Sequence, residues 1–398
     1  MDVDEDTRTI GARLRQIRKS RRKSLVVVAG LAGMSKSQLS RIERGEIALD
    51  RRSEIVALAN ALGISPSEVT RLPMPTPGNG DVDAGVKALR LTIQRVSFES
   101  PGGHVVPVEA LRERVHSVLA AQSRCEDQAV GAALPALVAD LHTSIAAGRD
   151  VAQLLSMTVL VHVKGTRGWL GSAGTNDDLC FDAVRLGREA ARELGEPAAL
   201  AVAAFGSANG LIASGDFDLA RIELDRLDLA PTNPATEQLA GLLAVTRSLL
   251  AAARKEPNEV DGPLEMAAEL AERTGERNAY YMGFGPASVG VWRMSVALES
   301  GDHSRAAAVA ETIRPESLAT PHRRADYWVG YGRALARLRG RQDEAVLAFR
   351  RAEKISSSKV LRNSFARDVI GELLARSRRD SPAERELRGM AYRAGLPV

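Results

Sequence analysis

Residues 33–45 read GMSKSQLSRIERG, and their spacing predicts a short helix held between two glycines. Ser35 is placed to cap its start, and Gln38 stands three residues on, where it completes a capping box. At 100° per residue Leu39 and Ile42 share one face, with Met34 just ahead as a further apolar anchor. Ser37, Ser40, Arg41 and Arg44 fall on the opposite face. That outer face carries two guanidiniums and two hydroxyls, and no carboxylate. An arginine so placed can bond guanine O6 and N7 together. An ordinary solvated helix with a basic side has the same pattern, and the flanking sequence has to separate the two.

Upstream, Ile10, Leu14 and Ile17 recur at helical spacing in TIGARLRQIRKSRRKS and predict a first helix over 9–20. Ser24 is placed to cap a second helix, LVVVAGLA, which stops at Gly33. Its three valines favour strand locally, but the run is short and has no pairing partner nearby. Downstream, Ile55, Leu58, Ala59 and Leu62 predict a helix over 54–62 closed by Gly63. Ser65-Pro66-Ser67-Glu68 is a second capping box, with proline at the first helical position. Short helices in this order, the second and third joined through Gly33, make a helix-turn-helix arrangement.

Three segments, IGARLRQIRKS, AGLAGMSKSQLSRIERG and LANALGISPSEV, resemble in order the lambda-repressor/Cro-like (XRE) family of DNA-binding domains over residues 9–72. The resemblance implies that the third helix enters the major groove of double-stranded DNA, with Lys36, Ser37 and Arg41 where the family reads bases. Ser24 and the start of the second helix fall where it grips phosphate through helix N-terminal N–H groups. The DNA-facing set expected on this basis is Ser24, Ser35, Lys36, Ser37, Gln38, Ser40, Arg41, Arg44, Arg51 and Arg52, the last two on phosphate. Gln38 is open between capping and base contact. Arg18 and Glu43 fall where the family often has a buried ion pair between helices one and three. Leu25 departs from the polar residue, often Gln, that the family commonly has after the Ser24 position, and one contact is expected to be missing there.

Charge supports that placement. Residues 7–72 carry 14 basic and 5 acidic side chains, whereas residues 73–398 carry 40 and 41. A basic first domain on a neutral remainder is the footprint expected of a nucleic-acid binder with a separate second function. Cys125 and Cys180 stand far apart with no metal-ligand spacing and suggest a reducing compartment. The acidic N-terminus does not read as a signal segment. A soluble cytoplasmic protein without membrane contact is the expectation.

Residues 73–84, rich in Pro and Gly, are expected to be a linker. GVKALRLTIQRVSF then puts Val86, Leu89, Ile93 and Val96 on one helical face, to dock on the second domain or to pair with a copy of itself. From about residue 107 the chain reads as paired amphipathic helices. ASGDFDLA (213–220), ESGDHSRA (299–306) and LRGRQDEA (338–345) share a glycine turn and a helix restart, with AAGRDVAQ (146–153) a looser copy and Lys255-Glu256-Pro257 a degenerate one. ELGEPAAL (193–200) and RTGERNAY (273–280) recur 80 residues apart. A period near 40 with two helices per unit signals an alpha-solenoid, and residues 85–398 resemble a degenerate tetratricopeptide (TPR) domain. The fold class expected is therefore all-α: a five-helix DNA-binding domain over 1–72, then a TPR-like solenoid.

Tyrosine and tryptophan, scarce elsewhere, cluster in YYMGFGPASVGVW (280–292) and YWVGY (327–331). Such rings either mark a pocket on the solenoid's concave face or fill gaps between Ala-rich helices. The effector site expected on the first reading is Asn209, Asn278, Tyr281, Trp292, Arg293, Tyr327, Tyr331 and Asn363, with Arg333 nearby. His142, His162 and His322 are isolated in sequence and read as core or surface residues. No GxSxG, phosphate loop, HExxH or metal-spaced cluster is present, so neither an enzyme nor a cofactor is expected. The layout resembles bacterial regulators whose TPR-like domain binds a secreted peptide, and actinomycete regulators that respond to small molecules. It implies a homodimeric, signal-sensing transcriptional regulator. A TPR-like protein-interaction scaffold with accessory DNA binding is the competing reading.

Overall fold

Thr9 and Ser24 open the first two helices by accepting the N–H of Ala12 at 3.1 Å and of Val27 at 3.2 Å. The computed structural model describes residues 9–70, 80–175, 177–227 and 229–398. Its N-terminal region holds α1 (Ile10–Ser20), α2 (Leu25–Leu31), α3 (Lys36–Glu43), α4 (Arg52–Leu62) and α5 (Pro66–Thr70). Gly33, at φ 68°, makes the left-handed turn from α2 to α3 that residues with a Cβ rarely adopt. Leu14, Val28, Leu39, Ile42, Leu49, Leu58 and Leu62 form one core. Arg18 clamps Glu43 with two bonds of 2.6 and 2.8 Å, tying α1 to α3 as a structural ion pair. Ser65 and Glu68 cap α5 reciprocally.

The remainder is helical among the described residues. It runs through α6 (Gly80–Ser97), α7 (Val108–Ser123), α8 (Asp127–Ala146) and α9 (Val151–Leu160), which continues through one π turn (Val161–Thr166) into α10 (Arg167–Ser172). Then come α11 (Asp177–Leu194), α12 (Pro197–Ser214), α13 (Phe217–Asp225), α14 (Pro234–Arg254), α15 (Asp261–Thr274), α16 (Pro286–Glu299) and α17 (His303–Thr312). The chain ends with α18 (Pro321–Ala336), α19 (Gln342–Ile355), α20 (Ser357–Leu361), α21 (Ser364–Arg376) and α22 (Pro382–Arg393).

Helices α12, α14, α16 and α18 stack on one another as an inner layer, and each packs against the next helix in sequence, α13, α15, α17 or α19, as an outer one. The repeated turns seen in the sequence are the hinges of these pairs. Gly215, Lys255, Gly301 and Gly340 all have positive φ and join inner to outer helix. Gly195 and Gly275, also at positive φ, follow α11 and α15 and lead into the inner helices α12 and α16. This is the helical-repeat architecture expected from the 40-residue period.

Two expectations need correction. Of the linker expected over 73–84, residues 73–79 lie outside the described residues, but 80–84 are already the first turn of α6. Asp81 and Asp83 favour a helix there through the positive end of its dipole, and Arg362 holds Asp83 at 2.9 Å. α6 docks on its own chain, with Leu89 and Ile93 buried among residues of α7 and α8. Against the expectation of no apolar run of membrane-crossing length, α8 and α12 are long and apolar enough to cross a membrane by length and composition; both pack against neighbouring helices.

Glycine substitutions in neighbouring helices should act with opposite sign. A Cβ on Gly11 would stand 2.0 Å from the Ile42 carbonyl oxygen, whereas one on Gly30 would meet nothing within 4 Å. Gly11→Ala is expected to destabilise the N-terminal domain by about 1–3 kcal/mol. Gly30→Ala is expected to stabilise it by roughly 0.5–1 kcal/mol through helix propensity. Thermal denaturation followed by circular dichroism checks both.

Candidate nucleic-acid interface

α3 presents Lys36, Ser37 and Arg41 to solvent, with Ser35 and Ser24 exposed at the starts of α3 and α2. The Ser35 hydroxyl accepts the Gln38 N–H at 3.1 Å, which is half of the expected capping box. The other half is absent, because the Gln38 amide reaches across to Glu54 on α4 at 3.4 Å. The outer face is also less purely basic than the α3 sequence implies. Glu46, from the turn after α3, pairs with Arg44 at 2.6 Å and lies 3.5 Å from Arg41, while Arg44 also donates to Ser40 at 2.7 Å. Burial is slight, so Glu46 is easily displaced by a phosphate. Leu25 packs into the domain core, and its neighbours Val26, Val27 and Leu31 form an exposed apolar strip on α2.

These elements match a family model described as a helix-turn-helix domain, over residues 9–72. Residues 9–72 are a helix-turn-helix domain. No curated protein matches the chain. Among solved structures, the crystal structure of a PrgX/iCF10 complex is similar at 9% sequence identity and a TM-score of 0.24, over 88% of this chain and 97% of that one.

Arg51 and Arg52, expected on phosphate, are used elsewhere. Arg51 pairs with Glu54 and stands beside Gly301. Arg52 bonds Glu299 of α16 at 3.3 Å and lies over the Phe365 ring. Both belong to the contact through which the helix-turn-helix domain docks on the solenoid. The backbone of residues 48–53 supplies most of its hydrogen bonds, beside the packing of α4 and α5 on α12 and α14. Ala48 N–H donates to Glu372 at 2.9 Å and Leu49 N–H to Asp368 at 2.6 Å. The Ala48 carbonyl accepts from Arg337 at 2.8 Å, and the Asp50 carbonyl accepts from Arg333. α4 has no side-chain cap of its own. Glu299 supplies one from across the interface, accepting the Arg52 and Ser53 N–H groups at 3.1 and 2.9 Å. No periodicity in the sequence announces this contact, since its partners lie some 250 to 320 positions away.

The effector residues expected from sequence separate into two sets. Asn209, Trp292 and Asn363 line one cavity of about 670 Å³ between α4, α5 and the inner helices. The others do not reach it. Tyr327 is 3% exposed and donates to the Ala310 carbonyl at 3.1 Å, inside the core of the last repeats. Tyr331 meets Glu311 and Arg341. Tyr281 turns to His116 on α7 at 2.6 Å, Arg293 lines a separate groove with Arg305 and Ile313, and Asn278 is exposed in a loop. Arg333 is buried over Phe365 beneath the docked domain. The YWVGY rings are packing, because one face of an inner helix is turned to its outer partner and only the other to the groove. The histidines are not isolated either. His142 and His162 meet at 2.9 Å, and burial pushes the His142 ring down to about 4. His322 lies 3.0 Å from Lys359.

The cavity wall that sequence reasoning missed is rich in cations, Lys164, Arg323, Lys359 and Arg362, with Asp178 and Asp182 also lining it. One signal was available, a single lysine in the apolar run MTVLVHVKG.

Removing the Glu299 cap by Glu299→Ala leaves two α4 amides unpaired and should weaken docking by about 1–3 kcal/mol. Hydrogen exchange at residues 52–53 should quicken while exchange in α14 stays unchanged. Docking should also respond to pH through Asp368. Burial, reinforced by Glu372 and Asp50 and opposed by Leu49 N–H and Arg337, pushes its carboxyl up from 3.8 to about 7. A raised carboxyl gives its stabilisation below its unfolded value and loses it as pH rises through about 7. Relative to Asp368→Asn, the native chain should therefore lose melting temperature between pH 5 and pH 8.

Proposed function

We propose that the chain is a sequence-specific, DNA-binding transcriptional regulator whose helical-repeat domain receives a small-molecule or peptide signal and mediates dimerisation. The observation that carries the first part is the exposed face of α3, where Lys36, Ser37 and Arg41 stand free of the solenoid while the opposite side of the domain is docked. With α3 in the major groove, the exposed N-terminal amides of α2 beside Ser24 face the phosphate backbone. Arg41 is the base-reading side chain, and Arg44 joins it when DNA phosphate displaces Glu46.

Signal reception is supported by the placement of the groove. The inner helices that hold residues 48–53 also form the cavity wall. A ligand that prefers one arrangement of those helices shifts the docked population of the domain by its differential affinity, and no more than that. Dimerisation follows from the size of the reading head, since one short helix covers a single half-site.

Arg41→Ala should cost about 1–3 kcal/mol on DNA selected by the purified protein and relax one operator position. Arg52→Ala should leave the salt dependence of DNA binding unchanged, because its guanidinium serves Glu299. Quantitative footprinting reads both, and unaltered affinity in Arg41→Ala would sink the placement of α3. Light scattering at micromolar concentration tests the dimer; a strict monomer both free and on DNA excludes it.

A further inference from the structure

The 670 Å³ cavity has walls from both domains: Arg52, Ile55, Pro66 and Thr70 on the helix-turn-helix side, and the π turn, α12, α16 and α18 on the other. Its size is that of a small-ligand site. Most basic groups in its wall are already engaged. Lys359 pairs with Asp326 at 2.8 Å, Arg323 donates to the Met282 carbonyl at 3.0 Å, and Arg362 holds Asp83 and the Ala173 carbonyl. Arg52 is held by Glu299, and Arg167 also has a partner.

Lys164 differs. Among the described residues its ammonium has no hydrogen-bond or ion-pair partner. It projects from the π turn, a distortion that inserts an extra residue into a helix and is frequent at functional sites. Burial, with Arg323 and Lys359 close by, brings its ammonium down to about 7. Trp292 lines the cavity beside it. Phe205 packs edge-on to the indole at 6.4 Å between centroids, and the Arg323 guanidinium lies 5.6 Å over the ring. An unpartnered ammonium, a wall whose cations outnumber its two carboxylates, Asp178 and Asp182, and an aromatic ring at its edge suit one occupant, a compact molecule that brings an oxyanion and a planar body.

We propose that this cavity binds a small organic oxyanion, with its negative group at Lys164 and its planar part against Trp292, and that the Arg52–Ile55 turn of the helix-turn-helix domain is part of the binding site. The proposal rests on the reading of the chain as a ligand-responsive regulator and names the ligand class and place. Bound there, the anion touches the docked domain and the inner helices together. Occupancy and docking are then linked in both directions.

Pyridoxal 5′-phosphate is a suitable probe, being planar, anionic and an aldehyde. The Lys164 amine condenses with it to an imine with loss of water, and borohydride reduces the imine to a stable secondary amine. At pH 7 and micromolar probe, peptide mass spectrometry on the full chain should find Lys164 labelled at least tenfold ahead of exposed Lys36 and Lys255. Millimolar inorganic phosphate or benzoate should suppress that label, the better competitor telling which oxyanion the site prefers. Hydrogen exchange over residues 52–58 should slow on labelling. Lys164→Gln should abolish protection of 52–58 by the probe without changing the melting temperature. Labelling confined to exposed lysines, or a Lys164 label that neither competitor reduces, overturns the site. DNA binding by the unlabelled chain is measured alongside. A chain that binds selected DNA but fails these tests loses the oxyanion site and keeps its proposed function, whereas loss of DNA binding with the site intact does the reverse.

Discussion

The backbone of residues 48–53 cannot satisfy itself. Residues 48–51 run between α3 and α4, residues 52–53 are the uncapped first turn of α4, and Ala48, Leu49, Asp50 and Ser53 are all buried. A buried N–H without an acceptor costs roughly 1–3 kcal/mol, so the segment needs partners from outside its domain. Carboxylates of α16 and α21 accept its N–H groups, and guanidiniums of α18 donate to its carbonyls. The charges are themselves cross-braced, with Arg337 pairing with Glu372. From this exchange follow the position of the helix-turn-helix domain, the outward aim of α3 and the existence of a cavity shared by two domains.

Much of the local fold was legible because it rests on short-range physics. Ser24, Ser35, Gly33 and Gly63 mark helix ends through groups within a few residues, and the Leu39–Ile42 stripe buries as its spacing requires. The 40-residue recurrence of inner-to-outer turns gave the repeat architecture for the same reason. The misplacements share one cause: each concerns which side of an element meets a distant one. Arg52 reads as one more cation of a basic domain until Glu299, 247 positions away, is brought to it. Tyr327 and Trp292 look alike in sequence, yet one inner helix turns its ring into the core and another turns its ring toward the groove.

The distribution of charge within the interface shows how a basic domain is held without blunting its DNA-facing side. The carboxylates of the solenoid that meet residues 48–53 are nearly all committed to backbone amides or to Arg337. They neutralise little of the charge on α1 and α3, where Arg15, Lys19, Lys36 and Arg41 remain exposed. Glu46 is the one acid among the described residues that competes directly on the outer face, through Arg41 and Arg44.

Six consecutive residues bridge three helices of the repeat domain, α16, α18 and α21. The segment therefore works as a gauge. Consecutive Cα atoms of the segment are a fixed distance apart, while the acceptors stand on separate helices. At one spacing all the bonds close together. A change in the spacing of Glu299 and Glu372 would put the two ends out of register. Hydrogen bonds weaken steeply with length and angle, so a smooth change of spacing along the repeats would be felt as a sharp loss at one point.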